Sequence, residues 1–228
     1  MQNDLADNLN AIRRRISEAA LRAGRDPDEV KLVAVSKTHP ADILREAIDA
    51  GAYFLGENKV QEAESKIAEL GRDAAEWHLI GHLQSNKARR AVQLFDVIQS
   101  LDSIELAERL ERICSEEGRD ALSVFIQVDL AGEETKSGVA EDDLPPLIKY
   151  LKSCKQLQLN GLMVVPPYDD DVEKTRPYFE RLREIRDNLL PGGELSMGMS
   201  HDFEVAIEEG ATVVRVGTAI FGQREKKF

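Results

Sequence analysis

Lys31-Leu32-Val33-Ala34-Val35-Ser36-Lys37-Thr38-His39-Pro40 is an apolar, β-branched run that ends in one lysine and breaks at a proline. Such a run reads as a strand buried on both faces, as in a parallel sheet, with Lys37 delivered to its carboxyl end. Ligands of parallel sheets collect at those ends. A lysine half withdrawn from water is expected to favour its neutral amine, which can attack a carbonyl carbon. A lone lysine more often runs its stem along the surface and keeps its charge in water, so the reading of Lys37 depends on the rest of the chain.

Outward from that strand, one pattern repeats. Pro40 suits a first helical turn, Ile43, Leu44, Ala47 and Ile48 form an apolar stripe, and Gly51 closes the segment. Ala52-Tyr53-Phe54-Leu55 then leads into a helix carrying Val60, Ala63, Ile67 and Leu70. Trp77-His78-Leu79-Ile80 precedes one with Ala88, Ala91, Val92 and Phe95. Asp96–Ser100, Leu122–Val128, Leu159–Val165, Glu194–Met199 and Thr212–Val216 supply five more strand-like runs, each but the last followed by a helical pattern. Upstream, Leu5, Leu9, Ile12, Ile16, Ala19 and Ala23 mark an opening amphipathic helix over residues 4–23. Eight βα units spaced by roughly 20 to 35 residues predict an α/β fold, a single (β/α)8 TIM barrel spanning residues 1–228, which typically takes about 250 residues. An open doubly wound sheet is the alternative.

Composition narrows the function classes. The chain has 228 residues, 42% hydrophobic and 32% charged, enough for a real core. A formal net charge of −12 opposes a phosphate backbone, so nucleic acid is not an expected partner. Cys114 and Cys154 are the only cysteines and fall in apparent helices, which argues for a reduced, cytoplasmic protein without a disulfide framework. The acidic start, Met1 to Leu5, and the lack of a long apolar run argue against a signal peptide or a membrane span. The small acidic surface suits a monomer.

In a barrel the residues that matter follow each strand at its carboxyl end. They are Lys37 after the first strand, Glu57 and Asn58 after the second, His82 after the third, Met163 with Pro166 and Pro167 at the sixth, Ser200 after the seventh, and Arg215, Gly217 and Thr218 at the eighth. Ser200 stands where the N-cap of a short helix over residues 200–209 is expected, and Gly217 and Thr218 add backbone donors, so the last two loops read as a phosphate site. An ordinary helix cap is the plainer role for Ser200 alone. An amine and a phosphate cradle on one rim call for a ligand with a carbonyl and a phosphate: pyridoxal 5′-phosphate (PLP), or a phosphosugar handled by an imine-forming aldolase. Arg215 favours the former, since it would lie where a pyridine nitrogen needs a partner.

These residues lie in longer segments that resemble the pyridoxal phosphate homeostasis proteins, the YggS-like PLP-binding family. They are Val33-Ala34-Val35-Ser36-Lys37, residues 54–62, residues 77–87, Gly161-Leu162-Met163, residues 195–202 and residues 214–222. The resemblance covers the chain nearly end to end. It implies a barrel like the N-terminal domain of alanine racemase, with PLP as an internal aldimine on Lys37, phosphate contacts from Ser200, Gly217 and Thr218, and Arg215 near the ring nitrogen. It also suggests a basic residue, Lys136, near the cofactor's phenolic oxygen. Lys59 departs from the aromatic expected beside Asn58.

The function implied is binding, protecting and delivering PLP, with apo PLP-dependent enzymes as recipients. A racemase-type enzyme is the alternative, but it needs proton-transfer groups on both faces of the ring. Lys37 serves one face, and no evident residue serves the other. His78 and His82 do not make a metal pair, because four residues of strand span about 13 Å. No metal is expected. Arg224-Glu225-Lys226-Lys227 reads as a solvated tail.

Overall fold

The computed structural model describes residues 5–132 and 137–222. Lys136 and residues 223–228 therefore lie outside the described residues. The strands are β1 (Lys31–Val35), β2 (Phe54–Glu57), β3 (Glu76–Leu79), β4 (Val97–Leu101), β5 (Leu122–Val128), β6 (Leu157–Val164), β7 (Glu194–Met199) and β8 (Val213–Val216). The helices are α1 (Leu5–Arg22), α2 (Ala41–Asp49), α3 (Val60–Leu70), α4 (Ala88–Leu94), α5 (Ile104–Glu117), α6 (Leu144–Leu151), α7 (Arg176–Leu189), α8 (Phe203–Glu208) and α9 (Thr218–Phe221). All strand pairs are parallel, each strand lies beside the next, and β8 pairs back onto β1 to close the barrel. The expected (β/α)8 barrel is the fold, and the open sheet is excluded.

Closure leaves each strand with one face toward the lumen and one toward the helices. Val33, Val97, Phe125, Met163 and Val213 pack as a buried layer within the lumen, with Phe54 and Val165 against it. The opposite faces of the strands, with Leu55, Trp77, Leu79, Ile98 and Val214, join the stripes of the helices in the larger outer core. Gly161 permits one tight crossing: a Cβ there would stand 2.1 Å from the Glu194 carbonyl oxygen. Ahead of β1 in the chain, α1 packs on α8 and α9, and Asn8 Nδ2 donates to Ile220 O at 3.0 Å. No helix among the described residues is long and apolar enough to cross a membrane.

Three expected boundaries shift. β2 begins at Phe54 and ends at Glu57, so Glu57 is the last strand residue and not a loop residue beyond it. The helix expected from Ser200 begins at Phe203, because Asp202 occupies the cap position and its Oδ1 accepts the Met199 N–H at 2.7 Å. Ser200 is therefore a turn residue, not the N-cap. Cys154 lies in the turn after α6, while Cys114 is buried in α5, where loss of solvent pushes its thiol up to about 11.

Candidate functional site

A cavity of about 250 Å³ opens at the carboxyl ends of the strands. Lys37, Ser200, Arg215, Gly217 and Thr218 line it together, although they come from the loops or ends of three strands. Val35, Ile80 and Met199 supply apolar wall, and Tyr168 with His201 stands at one side with ring centroids 5.3 Å apart. A larger hollow, about 430 Å³, lies at the amino end between α1 and the starts of β1 and β2. Volume alone would choose that one. The carboxyl end is preferred because it gathers a lysine, two hydroxyls and a buried guanidinium, and because barrels place their chemistry there.

Lys37 sits two residues past β1, half-buried, in a turn closed by the His39 N–H donating to Ser36 O at 3.1 Å. Thr38, at the third position of that turn, has φ +70°, a region that favours Gly or Asn and that β-branched residues avoid.

Arg215 is only 4% exposed, and burial pushes its guanidinium down to about 10, so it remains a cation at neutral pH. Its Nη2 donates to Val164 O at 2.8 Å and its Nη1 to Ser196 Oγ at 2.6 Å. Because a guanidinium can only donate, the direction of everything behind it is set. Ser196 Oγ donates to Gln99 Oε1 at 2.6 Å, Gln99 Nε2 to His78 Nδ1 at 2.8 Å, and His78 Nε2 to Glu76 Oε1 at 3.0 Å. This file of bonds links β8, β7, β4 and β3, so it crosses the lumen from mouth to base. His78 is a link in this chain, which is why it is buried and polar. The hydrogen bond from His78 holds the Glu76 carboxyl below the usual range.

One side of the cavity, where an anion site is expected, is built by the loops after β7 and β8. Ser200 Oγ accepts the Gly217 N–H at 3.1 Å, which ties the two loops together and keeps the hydroxyl proton for another acceptor. The Gly217 amide is thus engaged with Ser200 and is not itself the expected direct donor. Thr218 opens α9, whose first N–H groups have no partner within their own helix. A Cβ on Gly217 would meet Val35 O at 3.1 Å, a tight contact where the chain leaving β8 passes close to β1. Asp202 is buried, and desolvation pushes its carboxyl up; it acts on Arg215 through space and not by direct contact.

Three residues expected at the site do not line this cavity. Met163 belongs to the lumen layer beneath it. His82 is exposed beyond β3, with Nδ1 3.1 Å from Asp102 Oδ2. Asn58 packs its backbone on Gly81, where a Cβ would come within 2.4 Å of Asn58 O. Among the described residues no group of three His, Cys, Asp or Glu could hold a metal. Tyr168, Ile80 and His39 were not singled out from sequence, yet each follows a strand and was open to the rule that found Lys37. Lys66 of α3 gave a weaker signal. It adjoins Ile67 at the edge of the apolar stripe, and it is buried against Glu57, with Nζ 2.6 Å from Oε1.

An amine, two hydroxyls beside the start of α9 and a cation that does not give up its proton suit a ligand carrying a carbonyl, a phosphate and a hydrogen-bond acceptor. The family model described as the alanine racemase N-terminal domain matches residues 8–225. A pyridoxal phosphate homeostasis protein of Pseudomonas aeruginosa is 46% identical over 225 residues, 97% of this chain and 96% of its own length. One of Aquifex aeolicus is 43% identical over 226 residues, 96% of this chain and 98% of its own. PipY of Synechococcus elongatus, solved with PLP bound, superposes with a TM-score of 0.83 at 43% identity, covering 96% of this chain and 100% of PipY. The chain belongs to the alanine racemase N-terminal domain family and, within it, to the pyridoxal phosphate homeostasis proteins.

Proposed function

We propose that this protein binds PLP through a covalent link to Lys37 and serves PLP homeostasis by holding, shielding and handing on the cofactor. The observation that carries the reading is that Lys37, Ser200, Arg215 and Thr218 line one cavity of about 250 Å³, just below the roughly 300 to 1,000 Å³ typical of small-molecule sites. That size suits a ligand with a single ring. The PLP-bound relative PipY, at 43% identity over nearly the whole chain, supports the choice of ligand.

PLP supplies an aldehyde with which an amine can condense. The chain's own residues divide the remaining work. Lys37 provides the amine. Ser200 and Thr218 would hold the phosphate with hydroxyl and amide donors, where charge-assisted bonds are strong. Arg215 would donate to the ring nitrogen, and Val35, Ile80 and Met199 would keep water from the ring.

We further propose that the protein is a carrier and not a dedicated enzyme, acting as a monomer in the cytoplasm with apo PLP-dependent enzymes as recipients. Arg215 supports this, because a guanidinium donates to the ring nitrogen without protonating it and so weakens the ring as an electron sink. Two of the cavity's other titratable groups turn outward: the Tyr168 hydroxyl donates to Asp170 Oδ1 at 3.1 Å, which holds the phenol above its usual range, and His201 Nε2 lies 3.1 Å from Asp169 O. The two cysteines form no disulfide, which suits a reducing compartment.

Incubating the loaded protein with L-alanine, L-serine, L-threonine and L-lysine tests the carrier reading. Dedicated enzymes turn over about 1 to 1,000 times per second. No turnover near one per second, together with restored activity of an apo PLP enzyme on mixing, is expected. Turnover at that rate, lost in Lys37→Ala, would instead establish an enzyme.

A further inference from the structure

We infer that Lys66 is a positioning residue for Lys37, acting through a clamp on the peptide units at either side of it. This rests on the reading of Lys37 as the residue that captures the aldehyde, and goes beyond it by naming what holds that lysine in place. Lys66 projects from α3 and is 5% exposed. An ammonium has three N–H donors. All three are directed: to Ser36 O at 2.8 Å, to Glu57 Oε1 at 2.6 Å and to Glu62 Oε1 at 2.8 Å.

The three acceptors bracket Lys37. Ser36, the residue before it, is fixed through its carbonyl by Lys66, through its hydroxyl, which donates to Glu57 Oε1 at 2.6 Å, and through its amide, which donates to Gly56 O at 3.0 Å. Thr38, the residue after it, donates its N–H to the Glu62 oxygen that Lys66 holds. One buried ammonium therefore governs both neighbours of Lys37, from the helix side of the sheet and without entering the cavity.

The backbone gives an independent reason for such a device. Thr38 is a β-branched residue at φ +70°, and among the described residues it is the one non-glycine with positive φ. Strained backbone of this kind persists where surrounding contacts over-determine it, and it concentrates at functional sites. Here the contact is Glu62 on the Thr38 N–H. Released from it, the turn is free to leave the left-handed region and swing the Lys37 stem out of line.

The step served by this placement is a simple condensation. The lone pair of the neutral Lys37 amine adds to the carbonyl carbon, a C=N bond replaces C=O, and the oxygen departs as water carrying the two amine hydrogens. Its rate depends on a near-attack geometry, for which misplacement by about 1 Å can cost on the order of a hundredfold. Binding of the phosphate and ring does not.

The test separates the two. Wild type and Glu62→Ala are mixed with PLP, and formation of the Schiff base is followed by absorbance and by borohydride trapping at Lys37. Affinity for pyridoxine 5′-phosphate, which has an alcohol in place of the aldehyde, is measured in parallel. Glu62 is only partly buried, so its loss spares the core. Glu62→Ala is expected to slow Schiff-base formation by about tenfold or more with pyridoxine 5′-phosphate affinity within about twofold, and Glu62→Gln, which still offers Thr38 an acceptor, to recover most of the rate. The double variant Lys66→Met with Glu57→Gln, which leaves no buried charge unpaired, should behave like Glu62→Ala. An unchanged rate, or a rate and an affinity that fall together, overturns the clamp while wild type still labels at Lys37. Wild type that forms no Schiff base at Lys37 overturns the reading beneath it.

Discussion

Two cations are buried beside the mouth of this barrel, and they are treated differently. Lys66, between the sheet and α3, meets two carboxylates and a carbonyl, with Glu57 Oε1 2.6 Å away. Arg215, inside the lumen, meets a serine hydroxyl and a backbone carbonyl, and the carboxyl of Asp202 acts on it through space without a hydrogen bond. The first charge is neutralised by the protein itself. The second is hydrogen-bonded by neutral groups only, which leaves guanidinium N–H donors for the proposed ligand.

The contrast is broken most directly by removing each cation without ligand present. Lys66→Met strands the Glu57 carboxylate, already pushed up by burial and with Oε2 lacking a hydrogen-bond partner among the described residues. Breaking a buried pair in this way costs about 3 to 5 kcal/mol. Since each kcal/mol shifts melting by about 2 to 4 °C at this chain length, a fall of roughly 6 to 20 °C is expected by calorimetry. Arg215→Met removes a charge with no bonded counterion, so the apo melting temperature should hold or rise, while PLP affinity falls. Equal destabilisation by both would erase the distinction.

Next in size is the effect expected at the proposed phosphate site. Ser200→Ala with Thr218→Val should weaken PLP far more than pyridoxal, because only the former presents the dianion. Hydrogen bonds to a charged group are worth about 1.5 to 3 kcal/mol each, or roughly ten to a hundredfold in affinity. Titrating both ligands gives the ratio, and equal losses would move the phosphate elsewhere.

Ser196→Ala cuts the lumen chain at its first link, and leaving the guanidinium short of an acceptor should cost about 1 to 3 kcal/mol in urea unfolding. Ser196→Thr, which keeps the hydroxyl, should cost less. The smallest effect is a pH dependence. Burial opposes ionisation of Glu62, but bonds from Lys66 and the Thr38 N–H outweigh it, so its carboxyl titrates below 4.5. A depressed carboxyl stabilises the fold fully above pH 4.5 and loses that contribution as pH falls through its folded pKa. The stability gap between wild type and Glu62→Gln should therefore close on acidification and be unchanged above neutrality.

The same contrast explains what was legible in the sequence. Eight strands could be read because β-branched runs are punctuated by Gly51, Gly71, Gly118 and Gly210, and β5 and β7 fall where they were expected. That Lys37 and Arg215 share one cavity was legible because both stand at the carboxyl ends of strands, which face one mouth in this fold. The Lys66 clamp was not, since it joins β1, β2 and α3 through tertiary contacts that no periodicity records. Ala52 and Tyr53 extended the apolar run upstream and displaced the reading of β2, which put Glu57 in a loop when it ends the strand. Ser200 was given a cap that Asp202 occupies, two residues later in the same turn. The lumen chain lay in view as polar residues at inward strand positions, Glu76 and His78, Gln99, Ser196 and Arg215, but its direction depends on which atoms meet.

The central claim is that Lys37 carries the cofactor. The direct measurement is to load the protein with PLP, reduce with borohydride, digest, and locate the pyridoxyl phosphate group by mass spectrometry. Labelling of the peptide containing Lys37, with no other lysine modified to a comparable extent and none of it retained in Lys37→Ala, is the expected result. A label mainly on Lys66, Lys136 or the residues beyond Gly222, or no label on protein that still binds PLP tightly, would contradict it.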